Sequence, residues 1–476
     1  MTTKYSSLAF WLLPFLFVVS LVGLTACGGG SSGGGGGGTT TTTTPATNTS
    51  SSSSSGAMGV YLSNGAANAA VPVSSSSGGS AQGEIVTLPN TGTLTASVAI
   101  SSTQFQALNL PALGVNAVNG LNVDSSHNVG AAFSFNSNAL SFFFLSSYKQ
   151  VGAYTCTTSC ANAMSFSGAG PTIGGVVMDP SKQWAIFSTN AGFDIVSYAN
   201  PSSPTKVRLI PGTGSSSATP TAGSITMTEN FAYHPSLTLG GTTYKMILAG
   251  GYDSFEMADA NTGTIYIPDS ATSPLLSGLS NCGVDQIGVD TNYNVAVLGC
   301  EFSNNGYLIN LNSLTLNASA GTYTLPSSAI YSFPVPHYKM DNVDVESTNH
   351  MVFIGGGGYS LNSNVFFVGQ LQDPSKGLVF TATSGTTAIS MPLSSSSNTS
   401  NCTLLGCSPI PNGTAWAGWG DPHSNGAFLD ANNDSVVLWE NISQNAVAIL
   451  NLTALQKNSW APACNPNCNT WYQGLP

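Results

Sequence analysis

Gln286-Ile287-Gly288-Val289-Asp290 is followed by Thr291-Asn292-Tyr293-Asn294 and then by Val295-Ala296-Val297-Leu298. The first segment alternates with period two, meets an acid, passes through turn formers and runs apolar again, which is the signature of a β-hairpin. The first half recurs as Gly120-Leu-Asn-Val-Asp124, Gly175-Val-Val-Met-Asp179, Asn230-Phe-Ala-Tyr-His234, Asn342-Val-Asp-Val-Glu346 and Gly426-Ala-Phe-Leu-Asp430. The landmark residues Asp124, Asp179, His234, Asp290, Glu346 and Asp430 stand 55, 55, 56, 56 and 84 residues apart. In all six copies the residues one and three before the landmark are apolar, so one strand face is conserved in register along the chain.

Each landmark leads into further apolar runs. Second strands are expected at Trp184-Ala-Ile-Phe187, Met351-Val-Phe-Ile354 and Val436-Val-Leu-Trp439. Third strands are expected at Phe193-Asp-Ile-Val196 and Tyr307-Leu-Ile-Asn-Leu311, and fourth strands at Lys206-Val-Arg-Leu-Ile210 and Thr322-Tyr-Thr-Leu325. A fixed period of this length points to a repeat architecture, and four antiparallel strands per unit predict an all-β, six-bladed β-propeller over residues 84–476. The last unit has three clear strands, to about Leu452, and strands near Glu84 to Leu110 are expected to complete it and close the ring. A seven-bladed ring and a β-sandwich pair are the alternatives. Gly59-Val-Tyr-Leu62 reads as a strand without a place in this scheme. The long last interval implies an insertion at about 384–420.

Charged residues make up 6% of the chain, against about 25% in an ordinary soluble domain. Ser, Thr, Asn and Gly must therefore supply the polar surface. Nine Lys and Arg against twenty Asp and Glu exclude a nucleic-acid footprint. The run Gly355 to Gly358 lacks the Gly-Lys-Ser/Thr ending of a phosphate loop and reads as a bend. No Cys-x-x-Cys-His occurs, and neither a nucleotide, a haem nor a flavin is indicated. Of nine cysteines, eight fall into near-neighbour pairs: Cys156 with Cys160, Cys282 with Cys300, Cys402 with Cys407, and Cys464 with Cys468. In an exported chain these read as four local disulfides, with zinc binding by the Cys-x-x-x-Cys pairs as the alternative.

The ninth is Cys27. It closes Leu24-Thr25-Ala26-Cys27, at the end of an apolar run that begins near Leu8 behind Lys4. A basic start, an apolar stretch and small residues mark residues 1–26 as a secretory signal. An uncleaved anchor is the alternative, although Leu8 to Leu24 is short for a ~30 Å bilayer core and holds Pro14. Leu-Thr-Ala-Cys resembles the lipobox of bacterial lipoproteins, which implies cleavage before Cys27 and acylation of the new N-terminus. The resemblance implies a chain lipid-anchored in the cell envelope, and Gly28 in place of Asp leans it toward the outer membrane or cell surface. Residues 27–83, rich in Gly, Ser and Thr, are expected to form a flexible tether.

Five residues before each landmark stand Asn119, Gly174, Glu229, Asp285, Asp341 and Asn425. In a propeller this register begins the innermost strand, at one mouth of the central channel. Glu229, Asp285 and Asp341 with Asn119 and Asn425 suit Ca2+ or another hard cation, because converging carboxylates need a counter-ion. Asn342 lies beside them. The bland alternative is that Asp and Asn here bond to nearby backbone amides. The insertion leads into Trp416-Ala-Gly-Trp419-Gly-Asp-Pro-His423 on the same rim. There Trp416 and Trp419 can stack on a sugar or plug the channel. His337 and His423 each follow a proline ahead of a channel strand and, with Asp341, are the candidate acid–base groups. The landmark acids sit at the opposite rim and read as turn caps.

The architecture resembles the extracytoplasmic propellers that include lactonase-like and lyase-like members, and the carboxylate ring is similar in kind to the metal site of gluconolactonase-like propellers. The leading expectation is a tethered binding or scaffold module for a glycan, polymer or partner envelope protein, anchored to the membrane through Cys27 lipid. The rival is a metal-assisted hydrolase, lactonase or lyase working at Glu229, Asp285, Asp341 and His423. A third is a structural subunit of an envelope assembly.

Overall fold

The repeat in the sequence is a repeat of sheets. The computed structural model of the chain describes residues 59–451 apart from connecting segments, with side chains described between residues 108 and 378. All of these lie in one unit, Thr44–Pro476. The signal segment, Cys27 and most of the tether fall outside the described residues.

Among the described residues the strands group into seven sheets. The first holds β1 (Gly59–Ser63), β2 (Ala66–Pro72), β3 (Gly83–Leu88) and β4 (Phe105–Ala107) in chain order. The second holds β5 (Gly120–Asp124), β6 (Val129–Phe133), β7 (Ala139–Phe144) and β8 (Lys149–Thr155), and the third β9 (Val176–Asp179), β10 (Trp184–Thr189), β11 (Gly192–Ser197) and β12 (Thr205–Pro211). The fourth comprises β13 (Ala232–Leu239), β14 (Thr242–Gly250), β15 (Phe255–Asp259) and β16 (Ile265–Pro268). In the fifth, β17 (Val284–Asp290), β18 (Val295–Cys300) and β19 (Asn305–Asn310) are followed by a hairpin, β20 (Thr315–Asn317) and β21 (Thr322–Thr324), before β22 (Ile330–Pro334) completes the sheet. The sixth holds β23 (Lys339–Glu346), β24 (Met351–Gly357) and β25 (Val365–Leu371), with β26 (Phe380–Ala382) and β27 (Ala388–Ser390) both on β25. The seventh has the order β28 (Gly406–Pro409), β31 (Ala446–Asn451), β30 (Ser435–Glu440), β29 (Gly426–Asp430).

The first strands of the sheets face one another: β1 contacts β5, β5 contacts β9, β13 contacts β17, β17 contacts β23, β23 contacts β29, and β29 returns to β1. Sheets succeeding one another around their inner strands make the fold a β-propeller. Both sides of each sheet are therefore buried. On β10, Ala185 and Phe187 join the core shared with the second sheet, while Ile186 joins the core shared with the fourth. On β14, Met246 and Leu248 face the fifth sheet, whereas Ile247 and Ala249 face the third. Period two thus sends alternate residues into two different interfaces, and a run such as Val295–Cys300 is buried throughout.

Four expectations are corrected. The first sheet begins at Gly59, ahead of the boundary at 84, because β2 pairs with β3 across the polar segment. Gly59-Val-Tyr-Leu-Ser63 is a further copy of the inner strand, with Ser63 in place of the acid. The last sheet takes its fourth strand from β28, inside the insertion, and not from the N-terminal strands, which are used in their own sheet. Thr322–Thr324 is not the outer strand of its unit: β21 pairs in parallel with β16 of the preceding sheet, covering that edge. Gly355–Gly357 continues β24 as a paired strand and makes no bend.

Of the expected disulfides, Cys282–Cys300 is formed, with its Cα atoms 4.6 Å apart. Cys156 is also disulfide-bonded. Its expected partner Cys160 lies outside the described residues, as do Cys402, Cys464 and Cys468 and the side chain of Cys407.

Among the described residues the landmark acids Asp124, Asp179 and Asp290 cap their turns as expected. Asp124 accepts from the His127 N–H, Asp179 from the Ser181 N–H, and Asp290 from the Asn292 and Tyr293 N–H groups. Their second oxygens reach forward to the next sheet. Tyr198 donates to Asp124 at 2.6 Å, Tyr233 and Lys245 donate to Asp179 at 2.6 Å, and His350 Nδ1 lies 2.8 Å from Asp290. His234, the copy without an acid, still reaches forward, to Asn294 at 2.7 Å. The landmark is therefore a sheet-to-sheet latch as well as a cap, and burial with the adjoining carboxylates pushes the Tyr198 and Tyr233 hydroxyls far above their ordinary range.

Candidate functional site at the inner-strand mouth

Two acids of the expected cation ring, Asp285 and Asp341, lie where their inner strands begin. Asp285 is the second residue of β17 and Asp341 the third of β23. In β17 the pairing passes from Val284↔Cys300 to Gln286↔Gly299, so Asp285 is the extra residue of a β-bulge. In β23 it passes from Met340↔Gly356 to Asn342↔Gly355, so Asp341 is the extra residue of a second bulge at the corresponding place. A bulge leaves one residue out of the ladder and re-aims it, and bulges recur at barrel rims and beside sites. These two strands lie directly against each other. Their approach depends on Gly288, where a Cβ would come 2.6 Å from Val345 Cγ2 and 3.2 Å from the Val343 carbonyl oxygen.

The frame around the β17 bulge is fixed from two sides. The Cys282–Cys300 bridge joins the start of β17 to the end of β18. The Val284 N–H donates to the Gly251 carbonyl of the fourth sheet at 3.1 Å, and Gly250 leaves the space that the Val284 side chain fills. At the same end of the fourth sheet lies Glu256, fully buried and opposite Ala249 in the ladder. It accepts from the Thr226 N–H and hydroxyl, and the Ser254 and Thr226 hydroxyls are 3.1 Å apart. Burial outweighs the Ser254 and Thr226 bonds and raises the Glu256 carboxyl above its usual value. Thr226 belongs to the crossing from the third sheet to the fourth, so Glu256 ties that crossing to the blade and has no opening to solvent.

Asn119, Glu229, His337, Trp416, Trp419, His423 and Asn425 lie outside the described residues, as do the side chains of Asp285, Asp341 and Asn342. The backbone brings Asp285, Asp341 and Asn342 to one end of two touching strands. Among the described residues no three His, Cys, Asp or Glu groups converge. Sequence reading missed Glu256 and the latch partners Tyr198, Tyr233, Asn294 and His350. The signal for the partners is their separation from the landmark, 74, 54, 60 and 60 residues, roughly one repeat forward.

No protein-family model matches the chain, and no curated protein matches it. Among solved structures, the β-propeller domain of Cps50 (Swd1) from Myceliophteria thermophila is similar, with a TM-score of 0.44 and 10% identity. The match covers 81% of this chain and 93% of that domain. The propeller assignment rests on the strand order and the inner-strand contacts of this chain itself.

Proposed function

We propose that this chain is an envelope-tethered binding propeller of seven blades that holds Ca2+ at the mouth where its inner strands begin. That face would present the cation and the neighbouring insertion to a glycan, polymer or partner protein. The observation that carries the reading is the pair of matched bulges at Asp285 and Asp341. Two adjacent strands each spend one residue, outside the ladder, on a carboxylate at the same end. Carboxylates carried at the same end of two touching strands would favour a counter-ion, and hard oxygen donors suit Ca2+. Seven blades are supported by the four strands that the first sheet builds for itself and by the return of β29 to β1. Lipid on Cys27 would supply the anchor and residues 28–58 the slack to turn either rim toward a target.

Titration calorimetry of the full chain with Ca2+ tests the reading. Binding in the range of extracellular modules, ~10⁻⁴–10⁻³ M or tighter, is expected, weakened about tenfold or more in Asp285→Asn and Asp341→Asn. Equal affinity in both variants, or no binding in the parent, ends the proposal. Ca2+-dependent turnover of a lactone by the same sample would move the assignment from binding to hydrolysis.

A further inference from the structure

We propose that the contact between His234 and Asn294 is an acid-released latch between the fourth and fifth sheets. The His234 ring is fully buried. Its Nδ1 accepts the Ser236 N–H at 3.2 Å and so carries no hydrogen, while its Nε2 faces Asn294 Oδ1 at 2.7 Å. The orientation of Asn294 is set from the other side. Its Nδ2 donates to Asn312 Oδ1 at 2.7 Å, and Asn312 Nδ2 donates in turn to the Tyr293 carbonyl at 3.1 Å. The chain of donors runs in one direction, so Asn294 must offer oxygen and His234 must donate from Nε2. The ring is the neutral Nε2–H tautomer.

A second proton has only Nδ1 to go to. There it would meet the Ser236 N–H donor to donor and place a charge in a buried site, and burial accordingly holds the imidazole below its ordinary value. The charged groups on the surrounding elements are engaged elsewhere. Lys245 pairs with Asp179 at 2.6 Å, which also takes the Tyr233 hydroxyl. Asp259 accepts from the Asn261 N–H and the Thr262 hydroxyl, and Asp290 is 2.8 Å from His350. No carboxylate among the described bonds meets the imidazole, so protonation requires the latch to open.

The part that opens is defined by the ladder. The β13–β14 register breaks between His234 and Leu237, and beyond that break the hairpin runs on to Gly240 and Gly241. Leu237 and Leu239 of this extension sit in the apolar core shared with the fifth sheet. Protonating His234 at the break would free the extension, residues 236–244, from the fifth sheet while the ladder from Ala232 to His234 stays paired.

Amide hydrogen exchange of the full chain between pH 7 and 4.5, corrected for intrinsic rates, tests this. The opening equilibrium of residues 236–244 is expected to rise about tenfold per pH unit below about 6.5. His234→Gln can accept from Ser236 and donate to Asn294 without titrating, and is expected to flatten that dependence. Asn294→Asp sets a carboxylate against the imidazole and is expected to reverse it, with tighter closure on mild acidification. A wild-type slope retained in either variant, or no slope in the parent, overturns the proposal.

Discussion

Asp179 gathers a turn amide and hydroxyl from Ser181, the Tyr233 hydroxyl and the Lys245 ammonium on one buried carboxylate. Burial works against its charge, yet the bonds from Lys245, Ser181 and Tyr233 prevail and hold the carboxyl below its usual value. Its stabilisation is therefore complete above about pH 4 and lost as pH falls through the depressed folded value. Asp179→Ala strands the largely buried Lys245 and is expected to cost about 3–5 kcal/mol in urea unfolding at pH 7. Glu256 behaves in the opposite sense. Its folded carboxyl is raised, so its contribution is fully present below the unfolded value and declines as pH rises through the folded one. Glu256→Gln keeps an acceptor for the Thr226 N–H without the buried charge. It is expected to match or exceed the parent's stability at pH 7, with the difference vanishing near pH 4. Glu256→Ala leaves Thr226 unsatisfied and should cost about 1–3 kcal/mol in the same assay.

At the scale of strands, close approach is set by small residues. Gly288 lets β17 lie on β23, and a larger side chain must push one of them away. Gly288→Val is expected to lower stability by about 1–3 kcal/mol and, by moving the two bulges apart, to weaken Ca2+ binding as well. Calorimetry and urea unfolding on one preparation check both effects, and a loss of stability with unchanged Ca2+ affinity would detach the cation from these strands. Gly130 and Gly306 do similar duty under the rings of Phe143 and Phe333, which stand opposite them in the ladder. None of this is visible in a period. The alternation of Leu121 with Val123 or Val343 with Val345 announces an inner strand by its period, although burial extends to the other face, as at Asp344. The bulges at Asp285 and Asp341 add a residue without changing local composition, so the sequence carries the acids but not the kink that presents them.

At the scale of the molecule, a spacing of 55 or 56 residues made the fold legible, since each unit is one sheet that needs its neighbours to bury its faces. What the period did not carry lies at the two ends. The first inner strand has Ser63 where all later copies but His234 have an acid, and its landmark stands 61 residues before Asp124, so it falls out of register with the others. Its own signal was the Asn64-Gly65 pair between two short strands, the dipeptide favoured in tight hairpins. The last outer strand, β28, precedes the inner strand of its sheet in the chain, which no ordered repeat anticipates. No strand is shared between the first sheet and the seventh among the described residues, and the ring closes where β1 meets β29. The forward latches from Asp124, Asp179, His234 and Asp290 tie the second to sixth sheets into one series. The central claim is that residues 59–72 belong to this ring and not to the tether. Hydrogen-exchange mass spectrometry of the intact chain addresses it directly. Slow exchange is expected in 59–72, lost in the same unfolding transition as Val295–Cys300; exchange of 59–72 at the unprotected rate, with the later sheets still closed, would place these residues outside the ring.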